Sequence, residues 1–380
     1  MNNFYAGSEI MFGQGALDAM PELLAGYGAR RVMIICDPGV RAAGVADLVI
    51  AQVQRRIAHV LVFDGVVPNP TNALVEQTAA QAREFRADMF VAVGGGSSID
   101  LAKAVNLRMT NPGPIGRYGG MGLVEKPGLP LVAIPTTAGT SSEITDVCAL
   151  IDEEKKTKYV IIDHKITPDK VILDPLLTQS LPPAVTAATG MDAMTHAIES
   201  FISNMATPLT EYHSLRGLQI LHKNLPLAYE NGGNLAAREQ LMLGCAIVGF
   251  GFLNANLGLV HGIAHTLSAH FGLAHGAANA AVLPYVLAFN APACEEKMID
   301  MAKALELPLS GARQRDSLAL SEEMERLIYR LNIPTLSQSG VAEKDFDMLA
   351  ECVLREPVLQ FNPRQGIRKD DILAILRLAL

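Results

Sequence analysis

Short apolar runs alternate with longer amphipathic segments over roughly the first 150 residues of the chain. Each run has a length typical of a buried strand and ends in glycines or turn-forming residues. The runs are RRVMIICDPGV (30–40), HVLVFDGV (59–66), MFVAVGGGSSID (89–100) and LPLVAIPTTAGTSSE (129–143). Helical spacing between them predicts helices near 42–57 and 71–88, the second with Thr71 as N-cap. This alternation predicts a parallel sheet with helices on its faces.

The pattern changes after residue 150. Residues 151–175 contain a charged turn and two β-rich runs, TKYVIID and KVILDP, which predict a hairpin or an extension of the sheet edge. From about residue 184, helical spacing of Ala, Leu, Met and Glu predicts helices to the C-terminus, with a charged surface helix near 312–330. Pro182-Pro183 marks the boundary, so we expect an α/β domain over 1–181 and an all-α domain over 182–380.

Composition restricts the classes of partner. The formal charge of −8, with no basic tract, argues against a nucleic-acid partner, and no signal peptide is visible. The apolar segment 244–260 is interrupted by Asn254 and Asn256 and is shorter than the roughly 20 residues of a membrane span, so it predicts a buried helix. Five scattered cysteines without a CxxC pair are typical of a reducing cytoplasm. We expect a cytoplasmic protein that binds neither nucleic acid nor a membrane.

Polar or glycine-rich residues follow the apolar runs, at the edge where parallel sheets bind ligands. Glycines 94–96 would let the backbone approach a bulky anion at a helix N-terminus, with Ser97 or Ser98 capping that helix; a plain tight turn is the alternative. Asp37 stands where dinucleotide-binding sheets place an acid on a ribose hydroxyl, which favours NAD over NADP. The alternative for Asp37-Pro38-Gly39 is a simple turn.

Four of the nine histidines lie in the apolar stretch 258–290: His261, His265, His270 and His275. His261 and His265 project from one face of a helix, and Gly272 and Gly276 suit a reversal of the chain that would return His275 towards them.

A second group lies on the first helix of the predicted all-α domain, where TGMDAMTHAIES (189–200) puts Asp192 and His196 on one face. With His261 and His275 they would supply one oxygen and three imidazole nitrogens, a set that suits Zn(II) or Fe(II) with one position open. Buried, hydrogen-bonded histidines are the alternative.

These motifs resemble those of the iron-containing (group III) alcohol dehydrogenases. The segments GGGSSIDLAK, IPTTAGTSSE, TGMDAMTHAIE, HGIAHTLSAHFGLAHGAANAAVLP and NPR (362–364) occur in the order of that family over essentially the whole chain. The resemblance implies an N-terminal Rossmann-like dinucleotide-binding domain, a C-terminal all-α domain, and an active site in the cleft between them. This architecture is shared with dehydroquinate synthase-like enzymes. The resemblance also implies a homodimer or a larger homo-oligomer.

The resemblance assigns roles to individual residues. The metal ligands would be Asp192, His196, His261 and His275, and His265 would lie beside the nicotinamide and the substrate. The residues implied to bind NAD(H) are Asp37, Gly94, Gly95, Gly96, Ser97, Asp100, Thr136, Thr137, Thr140 and Lys158. Val147 and Phe252 would make the substrate pocket apolar, and His270 would serve packing or the surface.

The implied activity is interconversion of a small alcohol (a primary alcohol, diol or hydroxy acid) with its aldehyde or ketone. It would use NAD(H) and one divalent metal, Fe(II) or alternatively Zn(II), with His265 relaying the hydroxyl proton. Glu199 would either orient His196 or be solvated.

Two other functions are considered. A dehydroquinate synthase-like lyase would need basic residues near the metal, and the segments 189–200 and 258–280 contain no Lys or Arg. A complete ligand set argues against a non-catalytic binding protein.

Overall fold

The computed structural model describes residues 3–155 and 157–380. Lys156, in the charged turn predicted within 151–175, and the first two residues of the predicted α/β domain lie outside this description. The chain divides into two compact units, Ala6–Leu181 and Pro182–Leu380, and the described residues up to Tyr5 belong to the second unit. Two hydrogen bonds explain this assignment. The Tyr5 amide donates to Asn254 Oδ1 at 2.7 Å, and the Tyr5 carbonyl accepts from Asn254 Nδ2 at 3.0 Å. The sequence places these first residues with the α/β domain instead.

A six-stranded parallel sheet forms the centre of Ala6–Leu181, which confirms the predicted α/β class. The strands are β1 (Glu9–Phe12), β2 (Arg31–Cys36), β3 (His59–Phe63), β4 (Met89–Gly94), β5 (Gly120–Met121), β6 (Leu131–Pro135), β7 (Val147–Asp152), β8 (Thr157–Ile162) and β9 (Lys170–Leu173). The helices are α1 (Met20–Tyr27), α2 (Pro38–Ala42), α3 (Val45–Gln54), α4 (Asn72–Phe85) and α5 (Gly96–Thr110). The sheet order is β1-β9-β6-β4-β2-β3, and β5, β8 and β7 form a second, smaller sheet.

Side chains of β4 show why this sheet is buried on both faces. Phe90 and Ala92 enter one apolar core, whereas Met89, Val91 and Val93 enter another. Because successive residues of a strand point to opposite faces, a continuous apolar run is needed where helices cover both faces.

The region after residue 150 differs from its prediction. The run TKYVII forms β8, but its antiparallel partner is β7, a strand that the sequence pattern does not predict. The run KVIL forms β9, which lies inside the main sheet between β1 and β6 and is therefore neither a hairpin strand nor an edge extension. Burial is the reason, because Val171, Ile172 and Leu173 are at most 2% exposed and need neighbours on both sides.

Helices form the unit Pro182–Leu380, as predicted. They are α6 (Pro183–Ile202), α7 (Pro208–Glu230), α8 (Leu235–Ala255), α9 (Leu259–Phe271), α10 (His275–Asn290), α11 (Glu295–Ala304), α12 (Arg313–Asp316), α13 (Ala319–Arg330), α14 (Phe346–Val353) and α15 (Lys369–Ala379). Helix α8 is long and apolar enough to span a membrane, but more than half of its apolar window is buried inside the protein. It packs against α6 and α7 as a core helix.

Candidate active site

Three helices carry the predicted metal ligands. Asp192 and His196 lie on α6, His261 lies on α9, and His275 is the first residue of α10. Gly272 ends α9 in the left-handed conformation (φ 67°), which favours glycine and turns the chain. This is the reversal that the glycines predict, and it returns His275 to the other two helices.

The ligand atoms of Asp192, His261 and His275 converge. One atom from each lies within 4.8 Å of the other two. Asp192 Oδ1 lies 4.0 Å from His261 Nε2 and 3.7 Å from His275 Nε2. Donor atoms bound tetrahedrally to one ion at about 2.1 Å lie roughly 3.4 Å apart, so these separations are close to those of a metal site. Oxygen and imidazole nitrogen are also ligands that Fe(II) and Zn(II) accept.

His196 lies beside this group but outside the 4.8 Å set. Its ring stacks on His261 with centroids 4.6 Å apart and on Phe252 at 4.4 Å. Its Nδ1 is buried and has no hydrogen-bond partner among the described residues. Buried polar atoms rarely stay unpaired, so this nitrogen is available to a ligand that the protein itself does not supply. The structure thus brings three predicted ligands together and leaves the fourth stacked against them.

Glu199 contacts His261 and is buried, so neither of the roles expected from the sequence, orienting His196 or lying in solvent, is found. The carboxylate is 2% exposed, accepts from the Val260 amide at 2.7 Å, and lies 2.6 Å from His261 Nδ1. Burial raises the pKa of Glu199 to about 7, against hydrogen bonds from the start of α9 that lower it. A hydrogen on His261 Nδ1 that is donated to Glu199 leaves Nε2 as the nitrogen able to bind a metal.

Asn279 lies among the same ligands and was not predicted. Its Nδ2 donates to Asp192 Oδ1 at 2.7 Å and lies 3.2 Å from His261 Nε2 and 3.4 Å from His275 Nε2. Asn279 follows His275 by four residues, so helical spacing contained a signal for this contact.

His265 lies next to the ligands and contacts a second unpredicted residue, Glu356. The His265 ring stacks on His275 with centroids 5.4 Å apart, and its Nδ1 lies 3.1 Å from Glu356 Oε2. The two residues are 91 positions apart in sequence, and no local pattern links them. His270 is exposed and lies 3.7 Å from Cys352 Sγ, which fits the predicted surface role.

The predicted phosphate loop contains three glycines, and a side chain at any of them would displace a neighbouring residue. A Cβ on Gly94 (φ +146°) would lie 2.5 Å from Ser98 Oγ, and one on Gly96 would lie 2.8 Å from Thr140 Cγ2. A Cβ on Gly95 would approach Thr137 Oγ1 to 3.3 Å. Thr137 and Thr140 therefore pack directly on the loop.

The start of α5 is suited to binding an anion. The helix begins at Gly96 after Gly95, and no side chain caps it, so the predicted capping by Ser97 or Ser98 is wrong. Ser98 instead donates from Oγ to Asp37 Oδ2 at 3.3 Å. An uncapped first turn leaves amide N–H groups for a ligand, and the absence of Cβ atoms leaves room for it.

Asp37 and Lys158 reach this loop from other elements. Asp37 follows β2 and accepts from the Val40 amide at 3.0 Å, so it also caps α2. Lys158 Nζ donates to Asn69 Oδ1 at 3.4 Å, and the Asn69 amide donates to Ser97 Oγ at 3.3 Å.

Thr136 supports the loop from within the unit, whereas the Asp100 carboxylate is bonded to other residues of that unit. Asp100 accepts from Ser142 Oγ at 2.5 Å and from the Ala149 amide at 3.0 Å, so both of its carboxylate oxygens are bonded inside the unit. Burial raises the pKa of Asp100, and nearby Lys103 opposes this shift. Buried Thr136 donates its amide hydrogen to the Gly94 carbonyl at 3.1 Å.

Lys103 is a buried cation that the sequence did not identify. It is 1% exposed, and its Nζ donates at 2.8 Å to the carbonyls of both Thr145 and Val147. Burial lowers its pKa, and the Asp100 carboxylate opposes that shift. Half-buried Val147, the predicted pocket residue at the start of β7, is thus held through its own carbonyl.

Glu143 gives a testable pH dependence. It is 3% exposed, and burial raises its pKa from 4.5 to about 7. Because the folded state binds this proton more tightly than the unfolded state, the free energy of unfolding falls as pH rises through the interval between those values. Glu143→Gln should remove the contribution of Glu143 to this decline, so the gain of the variant in free energy of unfolding over wild type should grow to about 3 kcal/mol as the pH rises from 5 to 8. Urea unfolding followed by circular dichroism measures the free energy of unfolding of both proteins. The same pH dependence in wild type and variant would contradict the prediction.

Comparisons with known proteins bear on the whole chain. The family model described as "Iron-containing alcohol dehydrogenase" matches residues 7–175, and "Fe-containing alcohol dehydrogenase family, C-terminal" matches residues 186–380. The chain belongs to the iron-containing alcohol dehydrogenase family. This confirms the resemblance recognised from its motifs.

Individual relatives match over all or nearly all of their lengths. Alcohol dehydrogenase 4 of Saccharomyces cerevisiae is 36% identical, with 100% of this chain and 98% of that protein covered. NAD-dependent methanol dehydrogenase of Bacillus methanolicus is 35% identical, with 100% of each covered. The crystal structure of a 1,3-propanediol oxidoreductase has a TM-score of 0.97 at 36% identity, again with 100% of each chain covered.

Family membership confirms that the chain is an oxidoreductase acting on CH–OH groups, with small alcohols and the corresponding carbonyl compounds as its substrate class. The lyase and the non-catalytic binding protein considered from the sequence are set aside on this ground. The fold class is confirmed as well, because the iron-containing alcohol dehydrogenase structure from Thermococcus thioreducens also matches this chain with a TM-score of 0.90.

Proposed function

We propose that this member of the family is an NAD(H)-dependent enzyme with one divalent metal, Fe(II) or alternatively Zn(II). It would interconvert a small primary alcohol, diol or hydroxy acid with its aldehyde or ketone. The observation that carries the proposal is the convergence of Asp192, His261 and His275 beside the orphaned nitrogen of His196.

The proposed metal ligands are Asp192, His196, His261 and His275. A divalent ion held by them supplies Lewis-acid stabilisation of negative charge on the substrate oxygen. The chain prepares the site through Glu199, which holds His261 at Nδ1, and through Asn279, which holds the Asp192 carboxylate. Both contacts fix ligand atoms before any ion binds, so less freedom is lost on binding.

His265 is proposed as the group that exchanges a proton with the substrate hydroxyl. Imidazole serves this role well near neutral pH, and the ring lies against His275. Phe252, which stacks on His196, is proposed to give the substrate an apolar surface on the helical unit, and Val147 is proposed as a substrate residue on the α/β unit. Such a surface favours short, weakly polar substrates and excludes water.

The proposed nucleotide site lies on the α/β unit. Gly94, Gly95, Gly96 and Ser97 would hold the pyrophosphate at the start of α5, and Thr137 and Thr140 pack on the same loop. NAD(H) supplies the hydride acceptor or donor. Lys158 would reach the ribose, Thr136 supports the loop through the Gly94 carbonyl, and Asp100 is proposed to lie near the pyrophosphate.

Asp37 is proposed to select NAD(H), and this can be tested by charge removal. Asp37→Asn should raise kcat/KM for NADP(H) relative to NAD(H) roughly tenfold, because a carboxylate beside the ribose repels a 2′-phosphate. The asparagine Oδ1 can still accept from Val40, so the cap of α2 survives. Steady-state kinetics with both cofactors measure the ratio, and an unchanged ratio would remove Asp37 from the ribose site.

We also propose a cytoplasmic location and assembly as a homodimer or larger homo-oligomer. The five cysteines, all within the described residues, form no disulfide with one another, which supports the first proposal. The exposed apolar side chains of Met205, Leu209 and Tyr212, close together in sequence around the start of α7, support the second. Light scattering coupled to size-exclusion chromatography tests the assembly, and fractionation of cells tests the location.

The experiment that tests the proposed function is metal removal and restoration. Protein purified without added metal should contain about one equivalent of divalent metal per chain, and chelation should abolish NADH-dependent reduction of short aldehydes. Fe(II) or Zn(II) should restore it. Undiminished activity in metal-free protein would refute the metal mechanism.

A further inference from the structure

A short segment near the C-terminus, residues 356–364, runs along α9 and ends in the NPR motif. We call it the C-terminal strap. Its far end is fixed by Asn362, which is 1% exposed. Asn362 Oδ1 accepts from the Leu259 amide at 3.2 Å and from Asn290 Nδ2 at 3.0 Å, and Asn362 Nδ2 donates back to Asn290 Oδ1 at 2.8 Å. The motif therefore ties the strap to the start of α9 and the end of α10.

The near end of the strap packs on α9 at Gly262, one turn before His265. A Cβ at Gly262 would lie 3.2 Å from Leu359 Cδ2 and 3.6 Å from Glu356 Cβ. The missing side chain thus allows Leu359 to pack close to the helix, with Glu356 in ordinary van der Waals range of the same position. Pro357 restricts the backbone of Glu356 to extended conformations, and the observed angles are φ −69° and ψ 123°.

The Glu356 carboxylate makes no hydrogen bond to the short helix that it precedes. Residue 356 occupies the N-cap position of the 3-10 helix Pro357–Phe361, yet its side chain makes no capping hydrogen bond. Its Oε2 instead lies 3.1 Å from His265 Nδ1. An ionised carboxylate has no hydrogen to donate, so in this contact it accepts and the imidazole hydrogen lies on Nδ1.

We propose that Glu356 is a positioning residue for His265. The strap places its carboxylate so that the His265 hydrogen stays on Nδ1 and Nε2 is the nitrogen presented to the substrate hydroxyl. The inference rests on the role of His265 given in the proposed function. Without Glu356 the ring would populate both tautomers and other rotamers, and only a fraction of the enzyme would present the correct atom.

An alternative role for the contact is a surface ion pair without functional effect. Both side chains are 25% exposed, and exposed pairs contribute little to stability. Glu351 is the matched control, because it lies on the preceding helix α14 and pairs with Lys369 at 3.0 Å.

The test compares Glu356→Gln, Glu356→Asp, Glu351→Gln, His265→Ala and the double variant His265→Ala/Glu356→Gln, each loaded with metal. Glu356→Gln should lower kcat roughly ten- to hundredfold while metal content and the KM for NAD(H) stay unchanged. Glu356→Asp should recover part of the loss, and Glu351→Gln should match wild type. The double variant should be no slower than His265→Ala, because the two residues act as one unit.

A spectroscopic readout separates positioning from general damage. In the zinc-loaded protein, nitrogen-15 spectra of His265, identified by its absence in His265→Ala, should show the Nδ1–H tautomer in wild type and a mixture in Glu356→Gln. Unchanged kcat and tautomer in Glu356→Gln would overturn the inference, as would additive losses in the double variant. A His265→Ala enzyme with wild-type kcat would instead refute the proposed role of His265 itself.

Discussion

Replacing His261 by alanine should eliminate stoichiometric metal binding and lower kcat for alcohol oxidation at least about a thousandfold. The expected loss corresponds to the several kcal/mol of charge stabilisation that a metal supplies to such a reaction. His261 offers Nε2 to the ligand group through its buried position between Glu199 and Asn279. The substitution also leaves the Glu199 carboxyl buried without its imidazole partner, which adds a cost in stability.

His270→Ala is the matched control for this prediction. It removes an imidazole from the same helix, but one that is exposed and contacts Cys352. Metal content, measured by mass spectrometry of the purified protein, and kcat should stay at wild-type values. Equal losses in the two variants, or a His261→Ala enzyme with full metal content, would contradict the assignment of His261 as a ligand.

Gly276→Ala is expected to separate α10 from α6 and to lose the metal without touching a ligand. A Cβ at Gly276 would lie 2.0 Å from the Ala188 carbonyl oxygen and 2.7 Å from its carbon. These are backbone atoms of a long helix and cannot rotate away. We expect a loss of about 3 kcal/mol or more in the free energy of unfolding, at the upper end of the range for overpacking.

The same variant should bind metal weakly, because His275 precedes Gly276 and Asp192 lies on the displaced helix. Gly26→Ala is the control, since a Cβ there meets nothing within 4 Å and the residue lies inside α1. It should be as stable as wild type or slightly more so. Denaturant unfolding and metal analysis measure both variants. A Gly276→Ala protein with wild-type stability and metal content would show that α6 and α10 do not need this close approach.

The parts of the site that the sequence predicts are those set by local rules. Helical spacing puts Asp192 and His196 on one face, and a left-handed glycine at position 272 allows the turn back to His275. Apolar runs long enough for buried strands predict the parallel sheet, because both faces of each strand need cover. Each inference uses residues within a few positions of one another.

The parts that were missed or wrong depend on contacts between distant segments. Glu199 is one turn from His196, but the entry of α9 places it on His261 instead. Glu356 in the strap contacts His265 although the two are 91 residues apart, and no sequence periodicity could have predicted a contact over that separation. The run KVIL reads as an edge strand, but it inserts between β1 and β6 because its side chains need cover on both faces.

The central claim is that Asp192, His196, His261 and His275 bind one divalent metal. An anomalous difference map from crystals grown with Fe(II), recorded on either side of the iron absorption edge, tests it most directly. The prediction is a single strong peak per chain within bonding distance, about 2.0–2.3 Å, of the Asp192 carboxylate and one nitrogen of each imidazole. A peak bound by other residues, or none at these four in iron-replete active enzyme, would contradict it.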